Sequence, residues 1–179
     1  MAKIIQSDRS EEREPGRIAR RLAALGITLQ SWPAPHDAKV SALLAKQDLS
    51  ADEREIVLAS VDDRFEDLKR HMGYMARDLI VIHEDVPGLG DLLRRFDSVH
   101  YHEDDEVRYV LEGSGYFGFV EPDGGQFLLE VAAGDYLNVP ARTEHWFEMK
   151  QSRRIKAVRY FTDTTGWVPV YTQRVRQFA

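Results

Sequence analysis

Four side chains in the second half of the chain have the types and spacing to hold a metal ion. Three lie in one stretch, His100-Tyr-His102-Glu-Asp-Asp-Glu106-Val-Arg108. Side chains of a strand alternate between faces, so His100, His102, Glu106 and Arg108 share a side unless a bulge intervenes. Two imidazoles and a carboxylate on one face form a 2-His-1-carboxylate set, which suits non-haem iron and related divalent ions. The fourth candidate is His145, in Pro140-Ala-Arg-Thr-Glu-His145-Trp-Phe147, at the start of a later strand. Antiparallel pairing can bring it opposite the first three. The plainer reading makes His100 and His102 exposed strand histidines and Glu106 their solvated neighbour. The chain has no cysteine. A thiolate zinc site, an iron–sulfur cluster, a disulfide scaffold and a cysteine nucleophile are therefore excluded, and any metal sits on His and carboxylates.

These residues need a frame. The 179 residues are enough for one domain with a substantial core. Lys plus Arg total 24 and Asp plus Glu 30, a formal charge of −6, which argues against a nucleic-acid footprint. The start, MAKIIQSDRSEEREPG, meets acidic residues at once and has no apolar run of the signal-peptide kind. The longest apolar run, Leu79 to Ile82, is strand-sized and far short of a membrane span. The expectation is a soluble cytoplasmic protein, monomeric because no long apolar patch reads as exposed.

The grammar changes near residue 75. Before it the pattern is helical. Pro15 suits a first turn, Ile18, Leu22 and Leu25 recur at helical spacing, and a second helix is expected over Ala38 to Lys46. Ser50 with Glu53 spells a capping box. Val57, Val61, Phe65, Leu68 and Met72 then share a face up to Gly73, which predicts one long helix. After residue 75 come strand-length runs broken by turn residues at Gly113, Pro122 to Gly125, Gly134-Asp135 and Asp163 to Gly166. PGLGDLLRRF reads as a turn and a short helix with Gly90 as its cap. Close-spaced short strands without helices between them indicate an antiparallel barrel or jelly roll. The fold class is thus mainly β with α. Residues 1–75 form a mostly helical extension packed on a barrel of residues 76–179, the whole being one domain.

The spacings His100-x-His102-x₃-Glu106-x₆-Gly113 and Gly134-x₅-Pro140-x₄-His145 resemble the two cupin motifs. Within that superfamily HEDDEVRYVLEGSGYF, VPARTEHWF, AVRYF and GW are similar to the bacterial acireductone dioxygenase family, from about Phe96 to Trp167. Two positions depart from the general cupin pattern. Arg94 stands where a Gly is expected six residues before His100, and Arg142 where one is expected two residues after Pro140.

The resemblance implies a cupin double-stranded β-helix holding one Fe²⁺ or Ni²⁺ per chain on His100, His102, Glu106 and His145. It implies a role in methionine salvage, with acireductone (1,2-dihydroxy-3-keto-5-methylthiopentene) and O₂ as substrates. Iron-loaded members make 4-methylthio-2-oxobutanoate and formate. Nickel-loaded members make methylthiopropionate, formate and CO. Four protein donors in an octahedral shell leave two positions, enough for a bidentate enediolate. The resemblance also turns Arg108 and Arg159 toward the substrate, although a surface ion pair serves equally for Arg159. Phe96, Phe147 and Trp167 would flank the methylthio tail, against the alternative of core packing. Phe147 shares parity with His145. Glu103, Asp104 and Asp105 read as a solvated turn that could support a ligand imidazole, and His36, His71 and His83 stand outside the site. Two other readings stay open: a different metal-dependent cupin dioxygenase or isomerase, and a non-enzymatic small-ligand-binding cupin.

Overall fold

The computed structural model describes residues 2–150, 153–163 and 168–178. The chain opens with strands β1 (Lys3–Gln6) and β2 (Glu11–Glu12), helix α1 (Pro15–Ala24), strand β3 (Thr28–Ser31) and helices α2 (Ala38–Ala45), α3 (Ala51–Ala59) and α4 (Asp62–Met72). Then come β4 (Ala76–Ile82), helix α5 (Leu89–Phe96), β5 (His100–Tyr101) and β6 (Glu106–Val120). The last strands are β7 (Gln126–Ala132), β8 (Asp135–Val139), β9 (His145–Met149), β10 (Ile155–Phe161) and β11 (Val170–Tyr171).

Strand β6 is the spine. Its first half pairs antiparallel with β10 and β8, within the order β4-β10-β6-β8-β3. Its second half pairs with β7 and β9, within the order β11-β5-β9-β6-β7-β1-β2. The two runs expected on either side of Gly113 are therefore one strand. Gly113 lies at φ 80, a left-handed conformation that only glycine adopts without cost. A Cβ there would stand 2.1 Å from the carbonyl oxygen of Arg154. The glycine turns the strand from one sheet into the other without ending it. The mainly β architecture expected from the sequence holds, with its sheet edges left open.

The N-terminal portion is more than a helical layer. Strand β1 adds to β7 and β3 adds to β8, so this portion extends both sheets. The Ser50–Glu53 capping box forms, but the long helix beyond it is two helices. Ser60 ends α3, its Oγ donating to the Val57 carbonyl oxygen at 2.6 Å, the local bonding by which serine competes with helix continuation. Asp62 and Asp63 open α4 where its dipole favours acids, and Gly73 closes it at φ 74. Helix α5 is preceded by Gly88 at φ 73, and Gly90 lies inside it.

The sheet built on β4, β10, β6 and β8 has two covered faces. Leu79, Val81, Val107, Tyr109, Val158 and Tyr160 pack toward Val40, Leu44, Val57 and Leu68 of the helices. Trp32 joins them, stacked on Tyr136 at 4.0 Å between ring centroids and edge-on to Tyr109 at 5.1 Å. The alternate residues Val110, Ile155 and Ala157 belong to a separate interior cluster with Phe117, Phe119 and Leu129. The period of two along each strand thus separates the helix-side core from this second cluster.

Candidate metal centre

His100 and His145 are direct register partners across β5 and β9, with ring centroids 4.6 Å apart. His102 lies just past the end of β5, in the turn that leads to Glu106 at the start of β6. The three residues therefore do not sit on one unbroken ribbon, and the turn brings them together instead of strand parity. Ligand atoms of His100, His102, Glu106 and His145 all lie within 4.8 Å of one another, and all four residues are buried. Glu106 Oε2 is 3.0 Å from Nε2 of both His102 and His145.

The backbone sets the tautomers. His100 Nδ1 is 2.7 Å from the Ser98 carbonyl oxygen and His145 Nδ1 is 2.7 Å from that of Thr143. A carbonyl can only accept, so each Nδ1 carries its proton and Nε2 presents a lone pair to the cluster. In the neutral His145 ring, Nε2 and Glu106 Oε2 then face each other as two acceptors. A second ring proton or a cation between them satisfies that contact, and the donor chemistry fits a divalent ion. Burial, reinforced by the neighbouring His145, pulls the His100 imidazole down to about 4 and keeps it neutral. Burial opposes the charge on Glu106, but the Arg108 guanidinium outweighs it and holds the carboxyl well below its ordinary range. Neutral imidazoles and an ionised carboxylate are the states a metal requires of its ligands.

These donors line a cavity of about 310 Å³. Arg108 and Arg159 line it, as do Phe96 and Phe147. Arg108 Nη2 donates to Glu106 Oε1 at 2.9 Å. Arg159 borders the cavity and is also in an ion pair, its guanidinium gripping both carboxylate oxygens of Asp78 on β4. Phe147 meets Phe117 at 5.2 Å and Phe96 at 6.4 Å between centroids, both edge-on. Trp167 lies outside the described residues. Sequence reasoning passed over Ile80, Ile82, Val110 and Ile155, which form much of the apolar wall, and Arg95 and Tyr171 at the rim. Parity with Arg108 and Arg159 would have found Val110 and Ile155.

The acidic turn braces the loops. Asp105 accepts from the Ala141 backbone N–H at 2.9 Å, and Glu103 pairs with Arg142 at 2.8 Å. Arg142 sits at φ 64, where the general cupin pattern has glycine. Its N–H donates to the His102 carbonyl oxygen at 2.8 Å, so the left-handed backbone, rather than the side chain, ties this loop to a ligand-bearing turn.

The description ARD/ARD' family matches residues 6–169 of the chain. The chain belongs to this family. An acireductone dioxygenase of Microcystis aeruginosa is 52% identical over 161 residues, spanning 90% of this chain and 87% of its own. One from Leptospira interrogans is 46% identical over 174 residues, 97% of each chain. Among solved structures, acireductone dioxygenase from Bacillus anthracis with cadmium ion in active center superposes with a TM-score of 0.85. It is 30% identical, covering 96% of this chain and 98% of its own. Membership accounts for the long agreement with helices as well as strands. The ARD/ARD' match begins well before the histidines, so the N-terminal portion is part of the family pattern.

Proposed function

We propose that the protein is a metal-dependent acireductone dioxygenase of methionine salvage, acting as a cytoplasmic monomer in which all 179 residues form one domain. The observation that carries this reading is the buried His100, His102, Glu106 and His145 group lining an apolar-walled cavity, in a chain of the ARD/ARD' family. In this reading those four residues hold one Fe²⁺ or Ni²⁺. When bound, the ion supplies Lewis-acid chelation of the enediolate and the means of engaging O₂.

The chain's own residues do the rest. Arg108 already sits against Glu106 and places a fixed guanidinium beside the substrate's developing negative charge, in a buried site where such charge is worth most. Arg159, clamped by Asp78, adds a second positive group whose direction is set by β4. Phe96 and Phe147, with Ile80 and Ile155, enclose the methylthioethyl tail and exclude water. No helix among the described residues is long and apolar enough to cross a membrane.

The test is reconstitution of metal-stripped protein with each ion, followed by analysis of headspace and solution products under O₂. The Fe²⁺ form is expected to give 4-methylthio-2-oxobutanoate and formate. The Ni²⁺ form is expected to give methylthiopropionate, formate and CO. Equal CO from both would remove control of the products by the metal, and failure of both forms to consume acireductone would overturn the functional assignment.

A further inference from the structure

Three arginines line the cavity, and they differ in what they hold. Arg108 is paired with Glu106 and Arg159 with Asp78. Arg95, in the last turn of α5, borders the same cavity and also the shallow groove outside it, together with Tyr171. It is exposed and makes no hydrogen bond or ion pair among the described residues. Its neighbour Arg94, in that outer groove, is neutralised by Asp91. Among the described residues of the rim, Arg95 therefore carries the one uncompensated positive charge.

The setting gives that charge a task. The chain as a whole bears −6, so an approaching anion meets general repulsion. A cleft with low-dielectric walls focuses the field of a cation at its mouth and raises the local concentration of anions there. The interior arginines are screened by their own carboxylates from this long-range role. We infer that Arg95 captures the anionic substrate at the cavity mouth and sets specificity for small anions at encounter, without touching the reacting atoms. This rests on the functional reading above, which makes the substrate an enediolate. An arginine in a helix's last turn also complements the helix dipole. That role alone would appear in unfolding experiments and leave the kinetics unaffected by salt.

The test uses full-length, metal-loaded protein. Two quantities are measured at ionic strengths of about 0.01 M and about 1 M, where the screening length falls from about 30 Å to about 3 Å. One is the rate of acireductone association without O₂, followed by stopped flow. The other is steady-state kcat and KM with O₂. One unit charge acting through water at about 7 Å is worth a factor of about three. Arg95→Gln is therefore expected to lower the low-salt association rate and kcat/KM about threefold, and Arg95→Glu about tenfold. Arg95→Lys should match the parent, with kcat and bound metal preserved in all three. At high salt the variants should converge. A salt-independent loss, or a fall in kcat with metal retained, would overturn encounter capture. So would Arg95→Glu matching the parent at low salt. If the parent itself neither binds nor consumes acireductone, the functional reading fails and the role of Arg95 goes with it, an outcome distinct from a silent variant in a working enzyme.

Discussion

Glu106, Arg108 and Val110 turn one way from β6, and Val107, Tyr109 and Leu111 turn the other. On the cavity side a carboxylate, three imidazoles and the strand arginines Arg108 and Arg159 are gathered against an apolar wall. On the helix side the same strands offer tyrosines and branched aliphatic residues to α2, α3 and α4. Burying charge is costly unless every charge is paired, so the cavity face spends stability to keep its groups in place. The helix face gains stability from burial, roughly 1.5–3 kcal/mol for each large apolar side chain. It too admits one charge. Lys156 is fully buried, yet its Nζ donates to the carbonyl oxygens of Leu44 at 3.0 Å and Lys46 at 2.7 Å and to Glu112 Oε2 at 3.1 Å. The difference between the faces is therefore in where the lone pairs point. On the helix side each of Lys156's three donors meets a protein oxygen, closing off the C-terminal end of α2. On the cavity side the Nε2 lone pairs converge on a common space.

The largest effect should come from the cavity face. His145→Ala is expected to abolish metal binding and to lower turnover more than about 10³-fold, since changes even to groups behind a ligand commonly cost 10–100-fold. Unfolding of the metal-free protein should change by about 1 kcal/mol or less, because the helix-side core is untouched. Metal content, turnover and thermal unfolding on the same preparation check this. A variant that keeps metal and turnover would break the four-ligand assignment, and one that fails to fold would place His145 in the structural frame. Arg108→Ala comes next. It should keep its metal and lose about 10²-fold in turnover, the usual cost of removing one positioned electrostatic group. Arg108→Lys should rescue only in part, because an ammonium does not reproduce the planar fork. Metal loss equal to that of His145→Ala would show that Arg108 serves chiefly to hold Glu106.

The cavity face was largely legible in the sequence because its chemistry depends on residue type at short spacing. His100, His102 and Glu106 declare themselves within seven positions, His145 opens a later strand 39 residues beyond Glu106, and Phe147 follows from parity with His145. What escaped depends on distant partners. Asp78 is 81 residues from Arg159, and no local pattern pairs them. Arg153, Arg154 and Lys156 read as a solvated basic patch, yet Lys156 is fully buried, and it and Arg154 reach about 110 residues back to cap α2. Strands β1 and β3 are short and mostly polar, so they carry little period-two signal and become strands only because β7 and β8 offer edges. The continuous helical stripe from Val57 to Met72 concealed the break at Ser60, since both helices present apolar residues to the same sheet. Trp32, in a proline-rich segment with no periodicity, gave no sign that it stacks on Tyr136.

The smallest predicted effect tests the helix face at its weakest point, and its sign is opposite to the others. Tyr160 is fully buried between Phe65, 6.0 Å away between ring centroids, and Tyr74 at 6.5 Å. Its hydroxyl has no hydrogen-bond partner among the described residues, and burial raises its pKa well above the ordinary range. An unpartnered buried hydroxyl costs about 1–3 kcal/mol, while the ring itself contributes favourable burial. Tyr160→Phe keeps the ring and removes the group that cannot be satisfied. It is expected to raise unfolding stability by up to about 1 kcal/mol, which for a chain of this size moves Tm up by about 2–4 °C. Turnover should be unchanged, because the residue beside it, Arg159, is the one that borders the cavity. A destabilised Tyr160→Phe would mean that the hydroxyl is satisfied by bound water, so that the helix-side core, like the cavity, is organised in part around a polar group. A change in turnover with stability intact would show that the two faces of β10 are coupled, and that the separation by alternate residues holds for packing but not for function.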